Sequence, residues 1–227
     1  MDKWLTKLVA EAIGVRTAPG TLVTRDLTHA GATQHVATQH VAGLLADDLP
    51  MVVKPVSSGS SHGVSLAHTP DELLAALDRA FALDDRVLVE EVVSGREIDV
   101  AVLGRPDGSR TVAPALEILV PVTGIFDLTT KYDGTAQFHV PAMITGTQRR
   151  HLEEAAIAVY DALGCAGVAR VDFFLTPAGP VLNEVNTAPG FTEHSQVPRM
   201  FAAAGLRYPD LLDLLVRDAA STLAVAA

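Results

Sequence analysis

Arg170, Asp172, Glu184 and Asn186 are spaced to bring a guanidinium, two carboxylates and an amide together. They lie in the stretch ARVDFFLTPAGPVLNEVNTAPG, where two apolar runs, Val168–Leu175 and Val181–Val185, flank a Thr-Pro-Ala-Gly-Pro turn. The pattern predicts a hairpin with a loop of about five residues. Strand side chains alternate faces. Arg170, Asp172 and Phe174 therefore share one face, and Leu182, Glu184 and Asn186 share one face of the partner strand. A loop symmetric about Ala178 sets Asp172 against Glu184 and Arg170 against Asn186. Opposed like charges roughly 5 Å apart repel, and cations between them would offset the repulsion. A small set of oxygen ligands suits Mg²⁺, which also takes phosphate oxygens and waters. A solvated hairpin face that is merely acidic gives the same pattern. Asn186-Thr-Ala-Pro-Gly190 then leaves the strand as a turn, and N–H groups near Gly190 can face an anion.

The elements that must carry this hairpin are legible by period. Residues 2–13 read as an amphipathic helix with Trp4, Leu5, Leu8, Val9 and Ala12 on its apolar side, Lys3 and Lys7 in solvent, and Gly14 at its end. Thr21–Thr24 and Met51–Pro55 read as strands, the second with Lys54 as its polar residue. Val56-Ser-Ser-Gly-Ser-Ser-His-Gly63 is a Ser/Gly loop before a strand at Val64–Ala67; such a loop can fold over phosphates, although most are plain turns. It is not a P-loop, having no Gly-Lys-Ser/Thr and no helix directly after it. Thr69-Pro-Asp-Glu72 is a capping box opening a helix to about Leu83, with Leu73, Leu74, Leu77 and Phe81 inward. Arg86–Val93 reads as a strand, Thr111–Pro121 holds another with Glu117 within it, Gln148–Leu163 reads as a helix, and Leu211–Leu215 as part of a last helix after Pro209. Residues 33–42 repeat Thr-Gln-His-Val-Ala in tandem. That five-residue period fits neither helix nor strand, and His35 and His40 do not stack as helical metal ligands.

Arg170-Val-Asp172, Asn183-Glu184-Val-Asn186-Thr-Ala-Pro-Gly190-Phe-Thr and His194-Ser195 together resemble the C-terminal signature of the D-alanine–D-alanine ligase family, within the ATP-grasp superfamily. The resemblance runs from residue 1 to about 218. It implies an α+β fold of two lobes with mostly antiparallel sheets clasping ATP, residues 1–90 forming the small lobe and 91–227 the large one. It implies an ATP-dependent carboxylate–amine ligase that forms a peptide bond through an acyl phosphate, with ATP and two Mg²⁺ ions (or Mn²⁺) as cofactors. Lys3, Lys54 and, on a closing loop, Lys131 would meet the nucleotide and its phosphates. Ser60 and Ser61 would serve phosphates or a substrate carboxylate. Glu90 would face the adenine, the backbone of Glu91, Val92 and Val93 its edge, and Glu97 the ribose. Asp172 and Glu184 would hold the first Mg²⁺, Glu184 and Asn186 the second. Arg170 and the Gly190 N–H would stabilise the tetrahedral intermediate. Tyr132 and Ser195 would line the acceptor site, beside Gln196.

This chain departs from the family at several places. Ser58 stands where an acid is usual, His62 where a small apolar residue is usual, Phe126 and Leu128 where tyrosines are usual, and Gln196 where Leu or Met is usual. The last suggests a more polar acceptor. The family's separate N-terminal lobe, which supplies a partner for the first substrate's ammonium group, has no counterpart in these 227 residues. The substitute acids, Glu117, Asp127 and Glu193, are not singled out by spacing. The chain alone is therefore expected to make D-Ala–D-Ala weakly or not at all, unless it takes another first substrate or is completed by a homodimer or a partner. The alternative is a nucleotide-binding protein, or a ligase half without independent catalysis.

Composition sets the outer bounds. With 48% hydrophobic and 19% charged residues the chain can bury a sizeable core. A net charge of −10, scattered along the chain, argues against nucleic acid as the main partner. Small-molecule amino acids are the expected substrates. A single cysteine, Cys165, excludes an intrachain disulfide and reads as a core residue. No apolar run of ~20 residues spans a membrane, so the expected location is the cytoplasm.

Overall fold

The structure is a computed structural model that describes residues 1–25, 43, 45–119 and 137–226. The tandem repeat with His35 and His40, and the loop with Phe126, Asp127, Leu128, Lys131 and Tyr132, lie outside the described residues. The chain packs as two compact units. One holds Met1–Leu5 and Ala18–Val93; the other holds Thr6–Thr17, Ser94–Val120 and Ala136–Ala227.

The first unit is an antiparallel sheet with a helix on it. Strands β1 (Gly20–Thr24), β2 (Met51–Pro55), β3 (Ser65–Ala67) and β4 (Arg86–Glu91) lie in the order β1-β4-β2-β3. Helix α2 (Pro70–Phe81) starts where Thr69 Oγ1 accepts the Glu72 N–H, with Pro70 at the first turn. Its stripe of Leu73, Ala76, Leu77, Ala80 and Phe81 buries against Val23, Val53, Val87 and Val89 of the strands. Period 3.6 on the helix meets period 2 on the sheet, and one face of each becomes core.

The second unit carries strands β5 (Arg96–Gly104), β6 (Arg110–Val112), β7 (Leu116–Leu119), β8 (Gln137–His139), β9 (Gly167–Thr176) and β10 (Gly179–Asn186). Their order is β10-β9-β5-β7-β8, with β6 paired to β5, and every pairing is antiparallel. Helix α3 (Gly146–Ala162) covers one face. Leu152, Ala156, Val159 and Tyr160 pack there against Ile98, Val100, Val102, Val171 and Phe173. The alternate residues of the same strands, among them Asp99, Arg170 and Asp172, must then project from the opposite face. Helices α4 (Gln196–Ala203) and α5 (Tyr208–Ala226) follow, burying Val197, Met200, Phe201 and Leu211.

Three expectations for the second unit need correction. α3 begins two residues earlier than its apolar period suggests, because Thr145 and Gln148 close a capping box. The hairpin between β9 and β10 turns through two residues, Pro177 and Ala178, since Thr176 pairs with Gly179. A bulge at Asn183 then shifts the register by one. Leu182 consequently pairs with Phe173 and joins the core with Val185, and it does not share the face of Glu184 and Asn186.

The first helix, α1 (Lys3–Ala12), is the largest correction. Its buried positions are Lys3, Thr6, Lys7 and Ala10, while Leu5 and Leu8 are 54% and 43% exposed. Each lysine finds polar partners: Lys3 Nζ donates to the Ser58 carbonyl, and Lys7 Nζ donates to Thr17 Oγ1 at 2.8 Å. A buried ammonium is tolerated when it is hydrogen-bonded, and an apolar stripe alone does not reveal such partners.

One end of the ladder between the interior strands β5 and β9 is pinned by one tyrosine. Tyr160, fully buried, donates its hydroxyl to the Gly167 carbonyl at 2.8 Å, and a Cβ on Gly104 would stand 2.4 Å from that oxygen. Gly104 and Gly167 are partners in register on β5 and β9. Gly104→Ala should therefore destabilise by about 1–3 kcal/mol through overpacking. Adding Tyr160→Phe, which removes the clashing oxygen, should recover part of that loss. Urea unfolding of the two single variants and the double variant checks this, and strictly additive effects would show that the tyrosine does not occupy that hole.

Candidate functional site

In the second unit, three carboxylates form a row across adjacent strands. Asp99 on β5 is the register partner of Asp172 on β9, and Asp172 is the partner of Glu184 on β10. One step along, Ala101, Arg170 and Asn186 form the next row.

Arg170 is the cation of this group. Its Nε and Nη2 donate to the two oxygens of Asp172, each at 2.7 Å, a bidentate pair between residues two apart on one strand face. Its Nη1 donates to Gln196 Oε1, at the first turn of α4. Its Nε also lies 3.3 Å from Asp99 Oδ2. Burial opposes the charge on Arg170, but Asp172 and then Asp99 outweigh it and hold the guanidinium firmly protonated. Asp99 is only 2% exposed; burial first, then the neighbouring Asp172 charge, push its carboxyl well above the usual carboxylate range.

Asn186 sits where β10 ends, its Oδ1 accepting the Ala188 N–H at 3.2 Å in an Asx turn. Ser195, the N-cap of α4, does not cap with its side chain. Its Oγ accepts the Thr192 N–H at 3.0 Å and meets Thr192 Oγ1 at 2.9 Å. It also lies 3.3 Å from where a Cβ on Gly190 would be, so Gly190 keeps the turn close to that hydroxyl. Glu97 is on the same face of β5 as Asp99 and is half-buried. Of the two described substitute acids, Glu117 is engaged by Arg96 through bonds of 2.6 and 2.7 Å, which hold its carboxyl below the ordinary range, and Glu193 is exposed.

In the first unit, Lys54 and Glu90 form a buried ion pair, Nζ to Oε2 at 2.6 Å, with both residues under a tenth exposed. Gly20 is the register partner of Glu90, and a Cβ there would come within 2.7 Å of Glu90 Cγ and of the Val89 carbonyl. Glycine is what lets Glu90 lie over β1. Glu91 directs its N–H to the Pro19 carbonyl at 2.9 Å, and Val92 is exposed. In the Ser/Gly loop, Ser60 and Ser61 both have left-handed backbone, φ 52° and 57°. Two such residues in succession are uncommon outside glycine. Ser58 and His62 close the loop, the Ser58 hydroxyl donating to the His62 carbonyl, while the Ser58 carbonyl receives Lys3. The Ser58 hydroxyl thus helps hold the loop together, whereas His62 takes part through main-chain groups that any residue would supply. Gln196 and Asp99 are the residues whose parts around Arg170 pattern reading missed: neither shares a motif with it, and only the register and α4 bring them there.

Among the described residues, no three His, Cys, Asp or Glu side chains converge into a ready-made metal cage. Mg²⁺ takes one or two carboxylates and fills its octahedron with phosphate oxygens and waters. Asp172, Glu184 and Asn186 are hard oxygen donors of that kind, with Asp172 and Glu184 adjacent in register.

The family described as "D-ala D-ala ligase C-terminus" matches residues 9–217. A D-alanine–D-alanine ligase of Prosthecochloris aestuarii is 41% identical over 221 residues, covering 96% of this chain and 59% of the relative. One from Mycobacterium avium is 47% identical over 177 residues, 75% of this chain and 48% of the relative. Among solved structures, the VanG D-Ala:D-Ser ligase of Enterococcus faecalis superposes with a TM-score of 0.79 at 36% identity, over 95% of this chain and 60% of that one. A D-alanine–D-alanine ligase of Bacillus anthracis complexed with ATP gives 0.75 at 26% identity, over 100% and 68%. The chain thus spans about 59% of the length of the first of these curated relatives. No helix among the described residues is long and apolar enough to cross a membrane.

Removing one member of a buried pair strands the other charge, at a cost of about 3–5 kcal/mol. Lys54→Met should therefore lower stability by about that much, and Lys54→Met with Glu90→Leu should restore most of it. Thermal unfolding of both variants reads the difference; a double variant no better than the single one would show that Lys54 and Glu90 are not a coupled pair.

Proposed function

The chain belongs to the D-alanine–D-alanine ligase family, with the ATP-grasp fold of that family, and on that premise we propose that it is the ATP-dependent part of a ligase that joins two D-amino acids. The observation that carries this reading is the row of Asp172 and Glu184 beside Arg170. Nucleotide binding alone needs no such guanidinium, buried and oriented by carboxylates. The reaction has two steps. A carboxylate oxygen of the first amino acid attacks the γ-phosphorus of ATP and ADP departs. The amine of the second then attacks the acyl carbon, loses a proton, and phosphate departs with the electron pair of the broken C–O bond.

In this reading Asp172, Glu184 and Asn186 would hold two Mg²⁺ ions (or Mn²⁺), which supply charge neutralisation of the phosphoryl oxygens. Arg170 and the Gly190 N–H would face the developing oxyanion, where fixed donors act without reorganising. Lys3, Lys54 and Lys131 would serve the phosphates, with Ser60 and Ser61 beside them. Glu90, the backbone of Glu91, Val92 and Val93, and Glu97 would take the adenosine. Tyr132, Ser195 and Gln196 would border the acceptor. The acceptor class we favour is a small D-amino acid, D-alanine or D-serine, since the structural neighbours include a D-Ala:D-Ser ligase. A homodimer or a partner would complete the site, and the cytoplasm, where ATP is available, is the proposed location.

The test combines calorimetry with Mg²⁺ and ATP, phosphate release across D- and L-amino acids, and mass detection of products. The expected result is nucleotide binding and a phosphate release stimulated by D-amino acids, however slow, with a dipeptide formed. Glu184→Gln should lower that rate by more than about a hundredfold, the upper end for an outer-shell change. Absence of nucleotide binding, or phosphate release indifferent to amino acids, would overturn the reading.

A further inference from the structure

Arg170 occupies both oxygens of Asp172, with bonds of 2.7 Å each. If Asp172 is a metal ligand, as the proposed function holds, these two demands collide. A bidentate guanidinium takes the lone pairs that lie in the carboxylate plane facing it. A hard cation seeks those same oxygens at about 2.1 Å. Each oxygen keeps a second lone pair, but a divalent cation bound there repels the guanidinium and draws density from the oxygen, so metal binding weakens the Arg170–Asp172 bonds. Released into a buried pocket without another anion, the guanidinium would lose its charge-assisted partner or swing out of place.

Asp99 is the group positioned to prevent this. It comes from the neighbouring strand, in register with Asp172, and its Oδ2 already lies 3.3 Å from Arg170 Nε. Among the described residues that fully enclosed oxygen accepts no hydrogen bond from an N–H or hydroxyl donor, while the Asp99 carboxyl itself is hydrogen-bonded to Asp172. A buried carboxylate oxygen without such a donor is costly, so its place calls for an explanation. The sheet aims it at the one donor that metal binding would set loose. Asp99 does not join a cage of three metal-ligating acids, and it stands on the side of Asp172 away from Glu184.

We propose that Asp99 is a positioning residue: it is the second carboxylate to which Arg170 transfers its Nε–H bond when Asp172 turns to Mg²⁺, so that Arg170 stays aimed at the reacting centre. Gln196, on Nη1, keeps the other arm of the guanidinium fixed during the exchange. This proposal rests on the metal-binding reading of Asp172 given above.

The experiment is a double-variant cycle read by Mn²⁺ affinity, from the paramagnetic resonance signal of free Mn²⁺ titrated into the full chain with a non-hydrolysable ATP analogue. Asp99→Asn should weaken Mn²⁺ binding by about 10–100-fold, the range for an outer-shell partner, because Arg170 then stays on Asp172. In an Arg170→Met background the same change should alter affinity by less than about twofold, since no guanidinium is left to redirect. An equal loss in both backgrounds would mean that Asp99 acts only as a nearby charge, and would overturn the proposal. So would unchanged affinity in Asp99→Asn alone. Absence of Mn²⁺ binding to the unsubstituted chain would overturn the metal reading of Asp172 and this proposal with it. Should Asp99→Asn fail to fold, the unsubstituted chain still decides: the Arg170 Nε–H resonance, assigned with Arg170→Lys, should shift on adding Mg²⁺ yet stay protected from exchange with solvent. Loss of that protection would show the guanidinium leaving, not changing partner.

Discussion

The large sheet has to hold three neighbouring acids in one row. Asp99, Asp172 and Glu184 are consecutive partners across three strands, and Arg170 is the guanidinium set among them. Aligned acids on one sheet face repel, and burial raises the cost of keeping them charged. The arrangement persists because the opposite face of the same strands is a core of Val, Ile and Phe under α3, which dictates the register. A one-residue slip would turn those side chains outward. Hydrophobic burial thus holds in place a polar row that would not assemble by itself, and such a row has a use for added positive charge.

The first unit solves a related problem with a single pair. Lys54 and Glu90 neutralise each other inside a small antiparallel sheet, and Gly20 yields the space in which Glu90 lies. Near it in sequence, the Ser/Gly loop keeps two serines in left-handed backbone and is laced by Ser58, His62 and Lys3. Both units therefore place their polar groups by sheet register and loop closure, with few free rotamers left to order when a ligand arrives.

What the sequence revealed and what it hid divide along physical lines. Strand β2, helix α2 and the pairing of Asp172 with Glu184 were legible, because short-range periodicity and capping residues encode them. The bulge at Asn183 was not, since two alternation phases fit the same apolar letters until Leu182 and Val185 are known to share a core. The inverted burial of α1 escaped for another reason: Lys3 and Lys7 are stabilised by Ser58 and Thr17, partners that no helical wheel contains. Helix α4 went unread because it is short and follows a turn-rich stretch. Asp99 was given no role, and its place beside Arg170 follows only from which strand β5 joins.

Arg170 and Asp172 are neighbours on a single strand, whereas Asp99 and Arg170 are far apart in sequence. The first pair needs only an extended backbone to form, so it carries almost no loop-closure entropy and can exist while the chain is still collapsing. When β5 docks against β9, Asp99 then meets an ion pair and not a bare anion, and the approach is far less repulsive. Local order of residues along β9 thus lowers the barrier to a long-range strand pairing that charge would otherwise slow.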